Sequence, residues 1–121
     1  MNYERKNYDV TLKYLSEIRV SEAIMKLDVD ILLLLIYFDL DYTDTAFSLI
    51  DSMRHFLSEE KYFSNLVKEN HFNFLNFYRT ILIHKSNFEK SKKSNLIFEI
   101  ENCQNLRRKD WLLEKAGEYC L

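Results

Sequence analysis

Histidine and cysteine are the residue types in this sequence best suited to catalysis or metal binding, and their spacing supports neither. The three histidines, His55, His71 and His84, lack the H-x-x-x-H and H-E-x-x-H spacings that place two imidazoles on one helix face. The two cysteines, Cys103 and Cys120, form no C-x-x-C pair. Cys120 is the penultimate residue, in a segment expected to fray, and Cys103 is predicted in a polar connection. We therefore predict a protein without enzymatic activity, metal or cofactor.

The acidic residues are also predicted to have structural roles. Asp28 and Asp30 are two positions apart, so on a helix they cannot face each other as a catalytic or metal-binding pair. Asp41 and Asp44 fall where a helix is predicted to begin, and acidic side chains are favoured there by capping and by the helix dipole. Neither pair predicts acid–base chemistry.

Positive charge is concentrated toward the end of the sequence. Residues 85–115 carry eight Lys or Arg and five Asp or Glu, whereas residues 1–62 carry seven and twelve. If the last two helices pack together, six of the cations form a basic patch: Lys90, Lys92, Lys93, Arg107, Arg108 and Lys109. A basic patch neutralises phosphates, but no nucleic-acid-binding motif accompanies this one. A solvated helix face is the favoured interpretation, and a small nucleic-acid-binding module is the alternative.

Glycine and proline are nearly absent, which favours helices. The 121 residues include one Gly and no Pro, and 47% are hydrophobic and 30% charged. Tight β-turns and phosphate-binding loops depend on Gly and Pro, so helices joined by short polar links are the simplest solution. The longest apolar run, residues 31–38, is far shorter than the roughly 20 residues of a membrane span. We predict one all-α domain over residues 1–121, cytoplasmic, with reduced thiols and no membrane partner.

Apolar residues at helical spacing predict about six helices arranged as antiparallel hairpins. Their predicted bounds are residues 7–18, 22–40, 44–57, 59–84, 88–101 and 106–119. Ser21 and Ser58 are predicted to cap the second and fourth helices, because a serine hydroxyl accepts from a free backbone N–H at a helix start. The second helix is apolar almost all round, which is typical of a helix packed on two sides.

The second and third predicted helices resemble a tetratricopeptide-type hairpin. Leu33-x-x-x-Tyr37 is followed, after eight residues, by Ala46-x-x-x-Ile50. In that family a leucine and a tyrosine on the first helix pack against a small and an apolar residue on the second. The resemblance is best over residues 7–57 and implies a right-handed α-solenoid fragment, with residues 58–121 as a longer helical hairpin and a C-terminal capping helix. Leu34 stands where the family prefers Gly or Ala, and no Pro closes the unit.

Two further resemblances concern the ends of the sequence. Residues 106–115, together with residues 48–57, resemble the C-terminal helical regions of large uncharacterised bacterial proteins, which implies the end part of a longer chain and carries no activity. The first predicted helix resembles the second helix of a hairpin whose first helix is absent, with Thr11 in the small-residue place. A solenoid truncated in this way exposes the face that its neighbour would cover.

These observations together predict a non-catalytic helical scaffold or protein–protein interaction module. Its partner is either the remainder of a longer chain or a second copy that meets the first predicted helix, around a two-fold axis. Tyr8, Leu12 and Leu15 contribute to an apolar surface there that is larger than one inward face needs. A membrane is not a predicted partner, and nucleic acid is a partner only in the alternative interpretation of the basic region.

Overall fold

The computed structural model describes residues 5–87 and 95–120, and these residues are helical apart from short connections. The helices follow one another in this order: α1 (Arg5–Asp39), α2 (Thr43–Glu59), α3 (Asn65–Asn87), α4 (Leu96–Asn102) and α5 (Lys109–Tyr119). No strand occurs in the two described ranges, which confirms the all-α prediction. None of these five helices is both long and apolar enough to cross a membrane.

Helix α1 takes the place of two predicted helices. It continues for 35 residues, about 52 Å at 1.5 Å per residue, through the break that was expected around Ser21. Ser21 is exposed in the middle of the helix, so its prediction as an N-cap is wrong. The segment Arg19-Val20-Ser21 contains neither Gly nor Pro, and a serine inside a helix costs only about 0.5 kcal/mol.

A tight turn at residues 40–42 joins α1 to α2. Asp41 adopts the left-handed conformation there, with φ 61°, which Asp tolerates better than most residues. Lys85 of α3 holds the turn in place. Its ammonium group donates to the Phe38 carbonyl oxygen, lies 2.9 Å from the Asp41 carboxylate and sits over the Phe38 ring. A cation at this end of α1 is also favoured by the helix dipole.

Helix α3 begins later than the sequence predicts. Ser58, expected as its cap, lies in the last turn of α2 and donates to the Arg54 carbonyl oxygen over 2.9 Å, so that prediction is wrong. The helix starts at Asn65, where the Ser64 hydroxyl accepts from the Val67 backbone N–H over 3.2 Å. Phe63 is buried between the two helices, and an apolar anchor of this kind fixes the path of the connection.

The core lies between α1, α2, α3 and α5. Buried side chains of α1 and α2 recur every three or four residues: Ala23, Leu27, Ile31, Leu34, Phe38, Ala46, Ile50, Met53 and Leu57. Tyr78 of α3 is fully buried among them, and its hydroxyl donates to the Leu34 carbonyl oxygen over 2.6 Å. Burial raises the pKa of Tyr78, which keeps the phenol protonated as a donor. Trp111 of α5 stacks on the Tyr78 ring at 5.8 Å and closes this part of the core.

The last two helices are shorter than predicted. Of the helix expected over residues 88–101, the described part contains only α4, and residues 88–94 lie outside the described residues. Helix α5 begins at Lys109 rather than at residue 106, because Arg108 adopts the left-handed conformation with φ 53°. Helix α5 packs against both α3 and α4.

Candidate functional site

The three histidines lie apart, on α2 and at two levels of α3. His55 is exposed, with its Nε2 3.7 Å from the Glu59 carboxylate. His71 and His84 each place Nδ1 2.8–2.9 Å from the carbonyl oxygen of the residue four positions earlier. Because a carbonyl only accepts, both rings carry their proton on Nδ1. Within residues 5–87 and 95–120, no three His, Cys, Asp or Glu side chains are grouped so that they could hold a metal ion.

His71 lies at the edge of a cleft of about 290 Å³ between α1, α3 and the connection from α4 to α5. The Arg107 guanidinium donates to the Asp28 carboxylate over 2.6 Å across this cleft, and the Arg107 backbone N–H contacts the Asn70 carbonyl oxygen. Burial lowers the pKa of His71, with Arg107 acting in the same direction. Among the described residues, neither His71 Nε2 nor Arg107 Nε, both buried, has a hydrogen-bond partner. Neither atom is accessible to a molecule in the cleft. The contacts of Arg107 with Asp28 and Asn70 therefore have a structural role, because they join α1, α3 and the connection from α4 to α5.

The predicted basic patch is only partly described. Lys90, Lys92 and Lys93 lie outside the described residues. Arg107 is paired with Asp28, and Lys109 donates to the carbonyl oxygens of Glu101 and Cys103 over 2.7 and 2.9 Å. Arg108 is exposed. Two of the three described cations thus hold intramolecular partners, and nucleic-acid binding by this region stays a prediction that fluorescence anisotropy at low salt would test.

The four residues predicted to pack the tetratricopeptide-like hairpin occupy different depths. Ala46 and Ile50 of α2 are fully buried, in agreement with close packing of α2 on α1. Tyr37 is half-buried and packs against the core, with its ring centroid 6.2 Å from that of Tyr42. Leu33 is half-buried, whereas its neighbour Leu34 is fully buried. The inner face of α1 therefore centres on Leu34.

A second apolar face runs along the outside of α1. Its residues are separated by alternating steps of four and three, and all of them are exposed; we call the set the outer seam: Thr11, Leu15, Ile18, Glu22, Met25, Val29, Leu32 and Ile36. The exposed fractions of its six apolar side chains range from 38% for Ile18 to 64% for Met25. Alternation of four and three is the heptad repeat of helices that pack along one another.

The outer seam lies across the helix from the buried face. Each residue advances about 100° around an α-helix, so Met25 and Leu32 project roughly opposite to Leu27, Ile31 and Leu34. The sequence predicts an apolar helix packed on two sides. Within the described residues α1 is packed on its inner side alone, and the second side faces solvent.

Charged side chains border the outer seam without entering it, except for Glu22. Lys26 donates to Asp30 over 2.8 Å and lies 4.7 Å from the centre of the Phe56 ring. Arg19 lies 3.6 Å from the carboxylate of Glu60. An apolar strip with a polar border is the composition of a protein–protein interface core and its rim.

The sequence predicts an exposed apolar surface only in the first predicted helix. The heptad repeat extends through Ile36, and it becomes visible only when α1 is continuous across Ser21.

Comparisons of the chain with protein families, with curated proteins and with solved structures found no match.

Proposed function

We propose that this chain is a non-catalytic helical protein-interaction module, and that the outer seam of α1 is its binding surface. The observation that carries the proposal is the exposed heptad repeat from Thr11 to Ile36. Its partner element is an α-helix that lies along α1.

A helix is favoured as the partner because of the period of the seam. Side chains repeating every 3.5 residues stay in register with a second helix that winds around the first, as knobs fitting into holes. An extended peptide or a sheet edge has a period of two and would leave alternate seam residues uncovered. The even spacing over more than three heptads therefore indicates one long helical contact.

The size of the exposed surface also supports a binding role. Six apolar side chains at roughly half exposure present on the order of 500 Å², within the range of the largest apolar patches of monomeric proteins, which are often functional. Helix pairing at the seam would bury this apolar strip together with its polar border. The two together approach the roughly 800 Å² per partner of a standard specific interface.

A tetratricopeptide-like arrangement is part of the same proposal. Helices α1, α2 and α3 contact in chain order, and the fully buried Ala46 permits a close approach of α2 to α1. Repeats of this kind stack neighbour on neighbour, so a helix face that no further repeat covers stays exposed and available to a partner. The exposed outer seam on α1 is the surface that this architecture expects.

Site-specific photo-cross-linking tests the proposal without assuming the identity of the partner. A benzophenone amino acid is placed at Leu32 of the outer seam in cells that naturally express the chain. Leu66 of α3, which is 56% exposed and lies outside the seam, provides the matched control. We expect cross-links from position 32, mapped by mass spectrometry to one helix with apolar residues at heptad spacing, and few from position 66. Equal yields at the two positions would overturn the proposal.

A further inference from the structure

We infer that the helix covering the outer seam is α1 of a second copy of this chain, running antiparallel about a two-fold axis that passes near Ala23 and Ile24. This inference rests on the proposed function and names the partner of the same surface. Helices α2 to α5 of the two copies then lie on opposite sides of the paired α1 helices, because the inner face of each α1 points away from its seam. The contact is isologous, since each copy contributes the same residues.

The seam residues are complementary to themselves in one antiparallel register. When two copies of α1 are reversed about the point between residues 23 and 24, Leu15 faces Leu32 of the second copy and Ile18 faces Val29. Glu22 faces Met25, and Thr11 faces Ile36. Every seam residue has a partner within the seam, and the pairs Leu15–Leu32 and Ile18–Val29, each of which occurs twice, are apolar.

Other arrangements leave acidic side chains badly placed. A parallel pair sets Glu22 against Glu22 of the second copy, and like charges in one layer repel. An antiparallel pair shifted one heptad toward the C-terminus sets Glu22 against Leu32 and Leu15 against Asp39. A shift of one heptad the other way sets Glu22 against Ile18 and Thr11 against Val29, and leaves Leu32 and Ile36 without a seam residue opposite them. The central register is the one in which all eight seam residues face one another and Asp39 stays outside the contact.

Charge complementarity supports the same register. Glu22 lies over Met25 of the second copy, next in sequence to that copy's Lys26. The Lys26 side chain is half-exposed, and its ammonium group lies 2.8 Å from the Asp30 carboxylate and 4.7 Å from the centre of the Phe56 ring. Glu22 of each copy therefore lies within one residue of the level of a cation of the other copy, and the opposed helix dipoles of an antiparallel pair add a small favourable term.

Sedimentation equilibrium and intermolecular spin-label distances test the inference. Single cysteines at Ser21 and at Val10, both exposed, carry the labels in a background with Cys103→Ser and Cys120→Ala, whose fold is checked by circular dichroism. With a rise of about 1.5 Å per residue and helices about 8–10 Å apart, the antiparallel register gives roughly 10–20 Å between Ser21 labels and roughly 40 Å between Val10 labels. A parallel pair gives roughly 10–20 Å at both positions.

Substitution of Glu22 in the otherwise unaltered chain provides a second measurement. In the antiparallel register Glu22→Lys faces Lys26 of the second copy, and we expect the dimer dissociation constant to rise at least tenfold. Glu22→Leu should lower it at least tenfold, because an apolar side chain then completes the seam. In a parallel pair Glu22→Lys exchanges one like-charge layer for another, so the dissociation constant would hardly change.

The outcomes separate this inference from the proposed function. A dimer with short distances at both labels overturns the antiparallel pairing but leaves the seam as the interface. A strictly monomeric chain at millimolar concentration overturns the second copy as partner, and cross-links from Leu32 to a different protein then still support helix binding. A monomer without preferential cross-linking at Leu32 refutes both.

Discussion

Leu32 and Leu34 offer a matched pair of substitutions, because the same residue type occurs two positions apart on opposite faces of one helix. Leu34 is fully buried, whereas Leu32 is 47% exposed. Leu34→Ala removes core contacts and leaves a cavity, which should lower the free energy of unfolding by about 2–5 kcal/mol. Leu32→Ala removes a side chain that the single chain only half covers, and we expect a loss of less than about 1 kcal/mol in the monomer.

The association equilibrium should respond in the opposite order. In the antiparallel pair each Leu32 contacts Leu15 of the other copy, so Leu32→Ala weakens two layers at once. At about 1 kcal/mol for each layer, the dissociation constant rises roughly tenfold to thirtyfold. Leu34→Ala leaves the seam intact, and the folded fraction should pair as the wild type does.

Two measurements resolve these effects. Urea unfolding at a concentration at which sedimentation shows only monomer gives the stability of the single chain, and sedimentation equilibrium across a concentration series gives the association. Equal losses of stability for the two variants at dilution would show that the outer face is packed within one chain. An unchanged dissociation constant for Leu32→Ala would show that the seam is not the interface.

Three further predictions concern the core and the cleft. Ala46→Leu overpacks the close contact between α1 and α2 and should lower the free energy of unfolding by on the order of 1–3 kcal/mol. Equal urea midpoints and equal slopes for the variant and the wild type would contradict close packing of the two helices. Tyr78→Phe removes the hydrogen bond to the Leu34 carbonyl oxygen and leaves no large cavity, and we expect the free energy of unfolding to fall by about 1 kcal/mol. A decrease above about 3 kcal/mol would contradict this expectation. Burial lowers the pKa of His71 in the folded chain, so the unfolded chain binds this proton first as pH falls below about 6.5. The free energy of unfolding should therefore fall as the pH falls toward the folded-state pKa of His71, by at most about 1.4 kcal/mol per pH unit from this group. In urea unfolding at pH 7 and 5.5, the free energy of unfolding of His71→Phe should depend less on pH than that of the wild type. An equal pH dependence in the two proteins would refute the assignment.

The helical class and the inner faces of the helices follow from local properties of the sequence. One Gly and no Pro leave few alternatives to helices, and the period of Leu27, Ile31 and Leu34 marks the buried side of α1 in any helical fold. Ala46 and Ile50 on α2 are identified in the same way, and both are fully buried. These features depend on neighbours within a few residues.

Serine positions explain most of the errors in helix bounds. Ser21, Ser58 and Ser64 are equally good N-caps by residue type, yet only Ser64 accepts from a backbone N–H at a helix start. Ser58 donates to a carbonyl in the preceding turn instead, a local alternative that serine always has. Which alternative prevails is decided by packing, here by the burial of Phe63 in the connection.

Part of the candidate site was hidden by one of these errors. A break at Ser21 divides the outer seam between two helices and removes the constant register between Leu15 and Ile36. The pairing of Asp28 with Arg107, which are 79 positions apart, depends on how α1, α3 and the last connection meet. No local property of the sequence reports a contact of that kind.

The N-terminal third of α1 has a consequence for helix content. From Tyr8 to Arg19 no side chain is buried, and besides the contacts of Arg19 with Glu60 and the Tyr62 ring this segment is anchored mainly through the helix itself. Isolated helices of about 12 residues are marginal in water, because nucleation is costly and few hydrogen bonds follow it. In a dilute monomer these turns should fray and exchange their amide protons quickly, while the turns around Leu27 and Leu34 stay protected.

Pairing through the outer seam would reverse that fraying. Leu15 and Ile18 would be covered by Leu32 and Val29 of the second copy. The helical turns of one chain that fray most easily would then pack against turns of the other chain that the core holds in place. Each copy then supplies a folded template on which the other completes its helix. The length of α1 thereby becomes a function of protein concentration, and amide protection from Tyr8 to Arg19 reports association directly.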